Sequence, residues 1–235
     1  MPSIEIVDRS DFTARMRQAL ALDPARTAAL TIDMQLEYLD ETVGQSVVVP
    51  EEARRILGST KRFLDICRGG GMPVVHAYVV RRPEEAGAGF HSGGLAYLVK
   101  ANEIGASQIP HRSVRTRPDR VAGSPESAVP AELVGEGDIH VTSKKGLDAF
   151  AHTDLHFLLS RILGVDTLLI SGINTDTCVY STTFTAADLG YRPVVIADCV
   201  ASMRGTDSHR MALELMSRSI AWVLTLDELS DALRP

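Results

Sequence analysis

Along this chain, short runs of contiguous apolar residues alternate with longer stretches in which apolar positions recur every three or four residues. The runs are Ala28–Asp33 (AALTID), Pro73–Val80 (PVVHAYVV), Asp138–Ser143 (DIHVTS), Thr167–Gly172 (TLLISG), Pro193–Ala197 (PVVIA) and Ala221–Leu224 (AWVL). Short and rich in β-branched residues, they predict six strands. They are nearly continuous rather than alternating, which predicts parallel strands covered on both faces. Glu51–Arg68 sets Ile56, Phe63, Leu64, Ile66 and Cys67 on one stripe and ends at Gly69–Gly71, so it predicts a helix. Asp154–Leu163, Asp176–Leu189, Ser208–Arg218 with Ser208 as N-cap, and Leu226–Leu233 predict four more. Strand, helix, strand in repetition predicts a three-layer α/β fold. Its sheet is Rossmann-like, six-stranded and mostly parallel, with helices on both faces and right-handed crossovers. At 235 residues, one domain spanning 1–235 is expected.

The stretch Arg81–Glu136 breaks this rhythm. It is rich in Gly, Pro, Ser and Arg and weakly periodic, and a segment of that length is expected to be functional or partly helical. Between Arg81 and Arg120 there are seven Lys/Arg and four Asp/Glu, a net of +3 in a chain of net charge −6, so the remainder carries −9.

The overall negative charge argues against non-specific nucleic-acid binding. No run approaches the length of a membrane span, and the opening MPSIEIVDRSDF has acids and no apolar core. Three scattered cysteines are neither a disulfide framework nor a zinc site, so a cytoplasmic location with reduced thiols and no metal is expected. There is no G-x-G-x-x-G after the first strand, and no cofactor is expected. Cys67 and Cys199 read as small core residues, and His76 as a satisfied core or pocket-wall side chain.

Ligands of open α/β sheets bind beyond the carboxyl ends of the strands. The first run ends in Asp33, the third is followed by Lys144–Lys145, and the fourth leads through GINTDTC to Cys178 at a helix start. A carboxylate, an ammonium and a thiol at one edge suit covalent catalysis. The ammonium and the helix N-terminus favour a thiolate, and the carboxylate takes the proton and returns it to a leaving amine. Backbone amides of Asn174 and Cys178 are placed to hold an oxyanion. Asp148 and Asp176 read as helix caps.

Three motifs carry a resemblance: T-I-D-M-Q at Thr31–Gln35, K-K-G-L-D-A-F-A-H-T-D-L at Lys144–Leu155, and G-I-N-T-D-T-C-V at Gly172–Val179. In this order the chain resembles the isochorismatase-like cysteine hydrolases, among them the N-carbamoylsarcosine amidase, ureidoacrylate amidohydrolase and biuret hydrolase types. The resemblance implies Asp33 as acid/base, Cys178 as nucleophile and Lys144, six positions before Phe150, as the catalytic lysine. It also implies a cis peptide at Ile173–Asn174 and a homo-oligomer, a dimer or tetramer with Arg81–Glu136 in the interface. Leu147, Asp148 and Asp176 depart from the family pattern. The Asp-x-His metal pattern of nicotinamidases is absent after the second strand, where the chain reads HAYVVRRPEE.

The expected activity is hydrolysis of a C–N bond in a small amide, ureido or carbamoyl substrate. Gln35, Tyr38, Arg81, Arg82, Phe150 and Thr177 are the expected substrate-binding side chains. Arg81 and Arg82 are the expected anchors for a substrate carboxylate, with Arg112, Arg115 and Arg117 as further candidates. A vinyl-ether hydrolase and a non-catalytic binding protein on the same fold remain open as alternatives.

Overall fold

In the computed structural model, residues 6–87, 97, 100–101, 104–105 and 117–234 are described. Six strands form one sheet: β1 (Thr27–Ile32), β2 (Val74–Val79), β3 (Ile139–Lys144), β4 (Thr167–Ile173), β5 (Arg192–Ala201) and β6 (Trp222–Leu224). Their spatial order is β3-β2-β1-β4-β5-β6, and every pair is parallel. The chain walks outward from β1 to β3, then crosses to the other side of β1 with β4. The strand order therefore reverses between β1 and β4, and in open α/β sheets ligands bind beyond the carboxyl ends of the strands at such a switch point.

The central strand shows why these residues pair in this way. All six residues of β1 are buried. Successive side chains point to opposite faces. Ala29 joins one core with Leu169, Val194 and Ile196, covered by Ile56, Phe63 and Leu64 of the helix Pro50–Gly69 and by Leu229 of Leu226–Ala232. Ala28, Leu30 and Ile32 join the other with Leu168 and Ile170, covered by Ala186 of Tyr180–Asp188 and Met216 of Thr206–Ser219. Each fully buried Leu, Ile or Phe contributes about 1.5–3 kcal/mol, so the two cores together fix the sheet between its helices.

The structure corrects several expectations. β3 is an edge strand, exposed at His140, Thr142 and Ser143, and is not covered on both faces. β5 continues four residues past the expected Ala197, to Ala201. The helix expected from Asp154 is one α-turn, Leu155–Phe157, followed by a π-type turn, Leu158–Ile162. Ser208 is not an N-cap: the helix Thr206–Ser219 is entered from Gly205. Neither Asp148 nor Asp176 caps a helix. Asp148 accepts from the Phe150 N–H at 2.9 Å and the Thr185 hydroxyl at 2.8 Å, and Asp176 from the Ser202 hydroxyl at 2.7 Å. A helix at Ser10–Gln18 went unpredicted because it buries no residue. It is held instead by the Trp222 Nε1–H bond to the Met16 carbonyl at 2.8 Å and an Arg17–Glu228 ion pair. Among the described residues, no helix is long and apolar enough to cross a membrane.

Candidate active site

Asp33 is the first residue beyond β1. Its φ of 50° lies in the left-handed region, which Asp tolerates better than most residues. The bend is held on both sides: the Asp33 N–H donates to Ala77 O at 2.9 Å, and the Gln35 N–H donates to Asp33 O at 2.8 Å. The side chain is fully buried.

Lys144 reaches it from two strands away. Strict alternation along β3 would turn Ser143, like Val141, toward the core. Instead Val79 of β2 faces both Ser143 and Lys144, a bulge in the pairing. The extra residue shifts the alternation by one, so Ser143 is exposed and Lys144 is buried. Lys144 Nζ donates to Asp33 Oδ2 at 2.6 Å and to Gly146 O at 2.7 Å, and both side chains of the pair have 0% exposure. Lys145 points elsewhere, to Val80 O and to Glu85 at 2.8 Å. Asp33 Oδ1 has no hydrogen-bond partner among the described residues.

Cys178 follows β4. Gly172 lets that strand approach β1 closely: at its φ of 142°, an added Cβ would lie 2.2 Å from Ile32 O. The Ile173–Asn174 peptide bond is cis. Thr175–Val179 then form a wide π-type turn that runs directly into the helix Tyr180–Asp188. The turn is clamped from the Ser202–His209 region. Met203 N donates to Asn174 Oδ1 at 2.9 Å, Thr175 Oγ1 and His209 Nδ1 are 2.8 Å apart, and Arg204 reaches Asp176 at 3.3 Å and Thr177 Oγ1 at 3.4 Å.

The thiol of Cys178 is buried, and burial pushes its pKa up to about 11, against the lowering effect of the Lys144 charge. Asp33 raises it further. At this thiol, burial and Asp33 thus act against the Lys144 ammonium. Burial pushes Cys67 up to about 12 and raises Cys199 too; Cys67, on the Pro50–Gly69 helix, and Cys199, on β5, lie in the same core.

The model of the isochorismatase domain matches residues 27–228. The chain belongs to the isochorismatase family. Among curated members, it is 28% identical to the ureidoacrylate amidohydrolase of Methylobacterium radiotolerans, over 92% of this chain and 83% of that protein. It is 29% identical to the maleamate amidohydrolase of Pseudomonas putida, over 89% of this chain and 87% of that protein. A solved cysteine hydrolase from Pseudomonas syringae pv. phaseolicola superposes with a TM-score of 0.73 at 20% identity, covering 91% of this chain and 94% of that one, a likeness of fold.

Around this isochorismatase-family centre the other expected side chains divide. Tyr38 is buried, and its hydroxyl accepts from Arg120 Nη1 at 2.9 Å. Gln35 is buried and engaged with the protein: Nε2 donates to Val79 O at 2.9 Å and Ser127 O at 2.7 Å, and Oε1 accepts from Arg120 at 3.4 Å. Phe150 shares a core with Cys178 and stacks on Tyr191, ring centroids 5.8 Å apart. Thr177 is next to Cys178 in the same turn. Arg81 is buried and paired to Asp119 at 3.3 Å, whereas Arg82 is exposed. Arg112 and Arg115 lie outside the described residues, and Arg117 is tied to Gln45 and to the Val43 carbonyl. His76 is a satisfied core residue between Thr31 at 2.7 Å and Asp138 at 3.1 Å.

Sequence reasoning missed Arg120 and Arg204. Arg120 was one cation among seven in its segment, and Arg204 sits past a strand read as ending at Ala197. Among the described residues, no three His, Cys, Asp or Glu side chains group as a metal site.

Proposed function

We propose that this protein is a cysteine-dependent amidohydrolase acting on a small amide, ureido or carbamoyl substrate. The observation that carries the reading is the buried Asp33–Lys144 pair beside the Cys178 thiol, in which Nζ takes one carboxylate oxygen and the other has no hydrogen-bond partner from a cation or backbone N–H among the described residues. The names of the relatives from M. radiotolerans and P. putida support the bond class.

The chemistry starts from the Cys178 thiol, whose pKa burial raises. As Sγ bonds to the substrate carbonyl carbon, its proton passes to Asp33. Lys144 holds the carboxylate in place and offsets the negative charge that builds on the substrate. The Asn174 and Cys178 N–H groups face the developing oxyanion. When the C–N bond breaks, Asp33 returns the proton to the leaving nitrogen, and a thioester remains on Cys178. Asp33 then takes a proton from water, whose oxygen attacks the thioester. The carboxylic acid departs and the thiol recovers its proton.

Ammonia release from a panel of small amides, ureides and carbamoyl acids tests the reading with wild type and Cys178→Ala. The expected result is turnover by wild type and none by the variant. Ammonia release surviving in Cys178→Ala overturns the cysteine mechanism, and hydrolysis of a vinyl ether by wild type and Cys178→Ala alike, with no ammonia released from the panel, favours the vinyl-ether type of chemistry, which does not need the thiol. A folded wild type without hydrolytic activity favours a binding role.

A further inference from the structure

Arg120 is a buried guanidinium held beside the site by its backbone. Arg81, two residues past the end of β2, donates its N–H to Arg120 O at 2.9 Å, and Ala122 N donates back to Arg81 O at 2.8 Å. On the other side Gln45 brackets Arg117, accepting from its N–H at 2.8 Å and donating to its carbonyl at 3.2 Å. Between these anchors Arg120 takes a φ of 50°, an uncommon left-handed conformation for a non-glycine residue. Such a conformation persists where the surroundings enforce it, and it clusters at functional sites.

The guanidinium is nearly consumed by the protein. Nε and Nη2 donate to the two oxygens of Asp119 at 2.7 and 2.9 Å, and Nη1 donates to Tyr38 Oη at 2.9 Å and Gln35 Oε1 at 3.4 Å. Four of its five N–H donors are thus in use. The Arg120 carbon also lies 5.3 Å from the centroid of the Tyr38 ring. An arginine so engaged is poorly suited to gripping a substrate carboxylate in a fork. It is well suited to fixing its neighbour.

The direction of the Tyr38 bond is settled by chemistry. A guanidinium only donates, so the phenolic oxygen must accept. Among the described residues the Tyr38 hydroxyl makes this one hydrogen bond, which leaves its own proton to donate elsewhere. Tyr38 lies in the turn that leaves Asp33: the Gln35 N–H donates to Asp33 O at 2.8 Å, the Tyr38 N–H donates to Gln35 O at 3.0 Å, and Arg120 Nη1 joins the Gln35 and Tyr38 side chains; burial raises the phenol above its usual pKa.

We propose that Arg120 is a positioning residue: by donating to the Tyr38 hydroxyl it orients that group so that its proton is presented to an oxygen of the bound amide. The proposal rests on the cysteine-hydrolase reading and adds a third donor to the two backbone N–H groups of the oxyanion hole.

A double-mutant cycle tests it, with Tyr38→Phe, Arg120→Met, Arg120→Lys and the combined variants. The readouts are kcat/KM on the amide that wild type turns over fastest and the rate of Cys178 alkylation by iodoacetamide, itself a small primary amide. Tyr38→Phe and Arg120→Met are each expected to lower kcat/KM about 10-fold, the effect of one lost hydrogen bond. Because both remove the same contact, the double variant should lose little more than either single. Arg120→Lys keeps a donor and should cost about 3-fold when Tyr38 is intact and nothing further when it is added to Tyr38→Phe. If Arg120→Met does not fold, the lysine series alone decides. Losses that multiply in the combined variants, or equal losses with and without the Tyr38 hydroxyl, overturn the proposal. A wild type that releases no ammonia overturns the amidohydrolase reading instead, and the iodoacetamide rates then test Arg120 alone.

Discussion

Two carboxylates beside cations flank the strands, Asp138 with its side chain 4% exposed and Asp33 with 0%, and they are built to opposite ends. Asp138, just before β3, is saturated. It accepts from Arg68 at 2.6 Å, from the Gly135 N–H at 2.7 Å and from His76 at 3.1 Å. Burial works against its charge, but these partners prevail and hold the carboxyl below its usual range. Asp33, at the other end of the strands and on a left-handed backbone, has one oxygen with no cation or backbone N–H donor among the described residues, beside the Cys178 thiol. A saturated carboxylate ties elements together and has nothing left to react with. An unsaturated one costs stability and stays available for a proton. The difference teaches where to look for chemistry in this fold: among buried charges, the incompletely satisfied one.

The comparison breaks most sharply if the two carboxylates respond alike to neutralisation. Asp33→Asn should reduce kcat/KM by about 10³-fold, within the range for loss of a general acid–base group. It should also destabilise the fold by about 3–5 kcal/mol, because the Lys144 charge is left buried and unpaired. Pairing it with Lys144→Met should restore much of that stability while leaving activity absent. Urea unfolding of the single and double variants checks this, and a double variant no more stable than Asp33→Asn contradicts it. Asp138→Asn should cost less, about 1–3 kcal/mol, since Arg68 is partly solvated, and should leave ammonia release unchanged. A large activity loss there would erase the contrast.

Much of this arrangement could be read from residues alone, and the part that could not has a physical reason. β1, β2 and β4 were legible because each is a buried apolar run, and Asp33 and Cys178 follow from where two of those runs end. The inward turn of Lys144 depends on the bulge opposite Val79, a property of pairing with β2 that no local pattern in IHVTSK encodes. Asp148 and Asp176 looked like caps because acids precede predicted helices, yet their partners Thr185, Ser202 and Arg204 come from elsewhere in the fold. Arg120 could not be separated from its six neighbouring cations, because its distinction lies in being pinned between Arg81 and Asp119. The helix Ser10–Gln18 carries no core stripe and so left no signal.

The smallest expected effect sharpens the comparison through pH. Burial holds His76 below its usual pKa. A base whose folded pKa is lowered stabilises the fold fully above its unfolded value, about 6.5, and that contribution declines as pH falls below it. Unfolding free energy should therefore drop between pH 7 and 5, by less than about 1.4 kcal/mol per pH unit for this one group. His209, also lowered by burial, contributes with the same sign. Asp138 acts later, because a depressed carboxyl loses its contribution only below about pH 3.8. His76→Gln should flatten the slope between pH 7 and 5, and an unchanged slope would show that the histidine is not held neutral.

The central claim, that Cys178 performs the chemistry, is tested most directly by alkylation. Iodoacetamide modification of the three cysteines is followed by peptide mass spectrometry while ammonia release is sampled from the same tube. The account predicts that Cys178 is modified before Cys67 and Cys199, faster as pH rises toward its thiol pKa of about 11. It also predicts that activity falls one-for-one with Cys178 modification. Full activity in protein completely alkylated at Cys178 would contradict it.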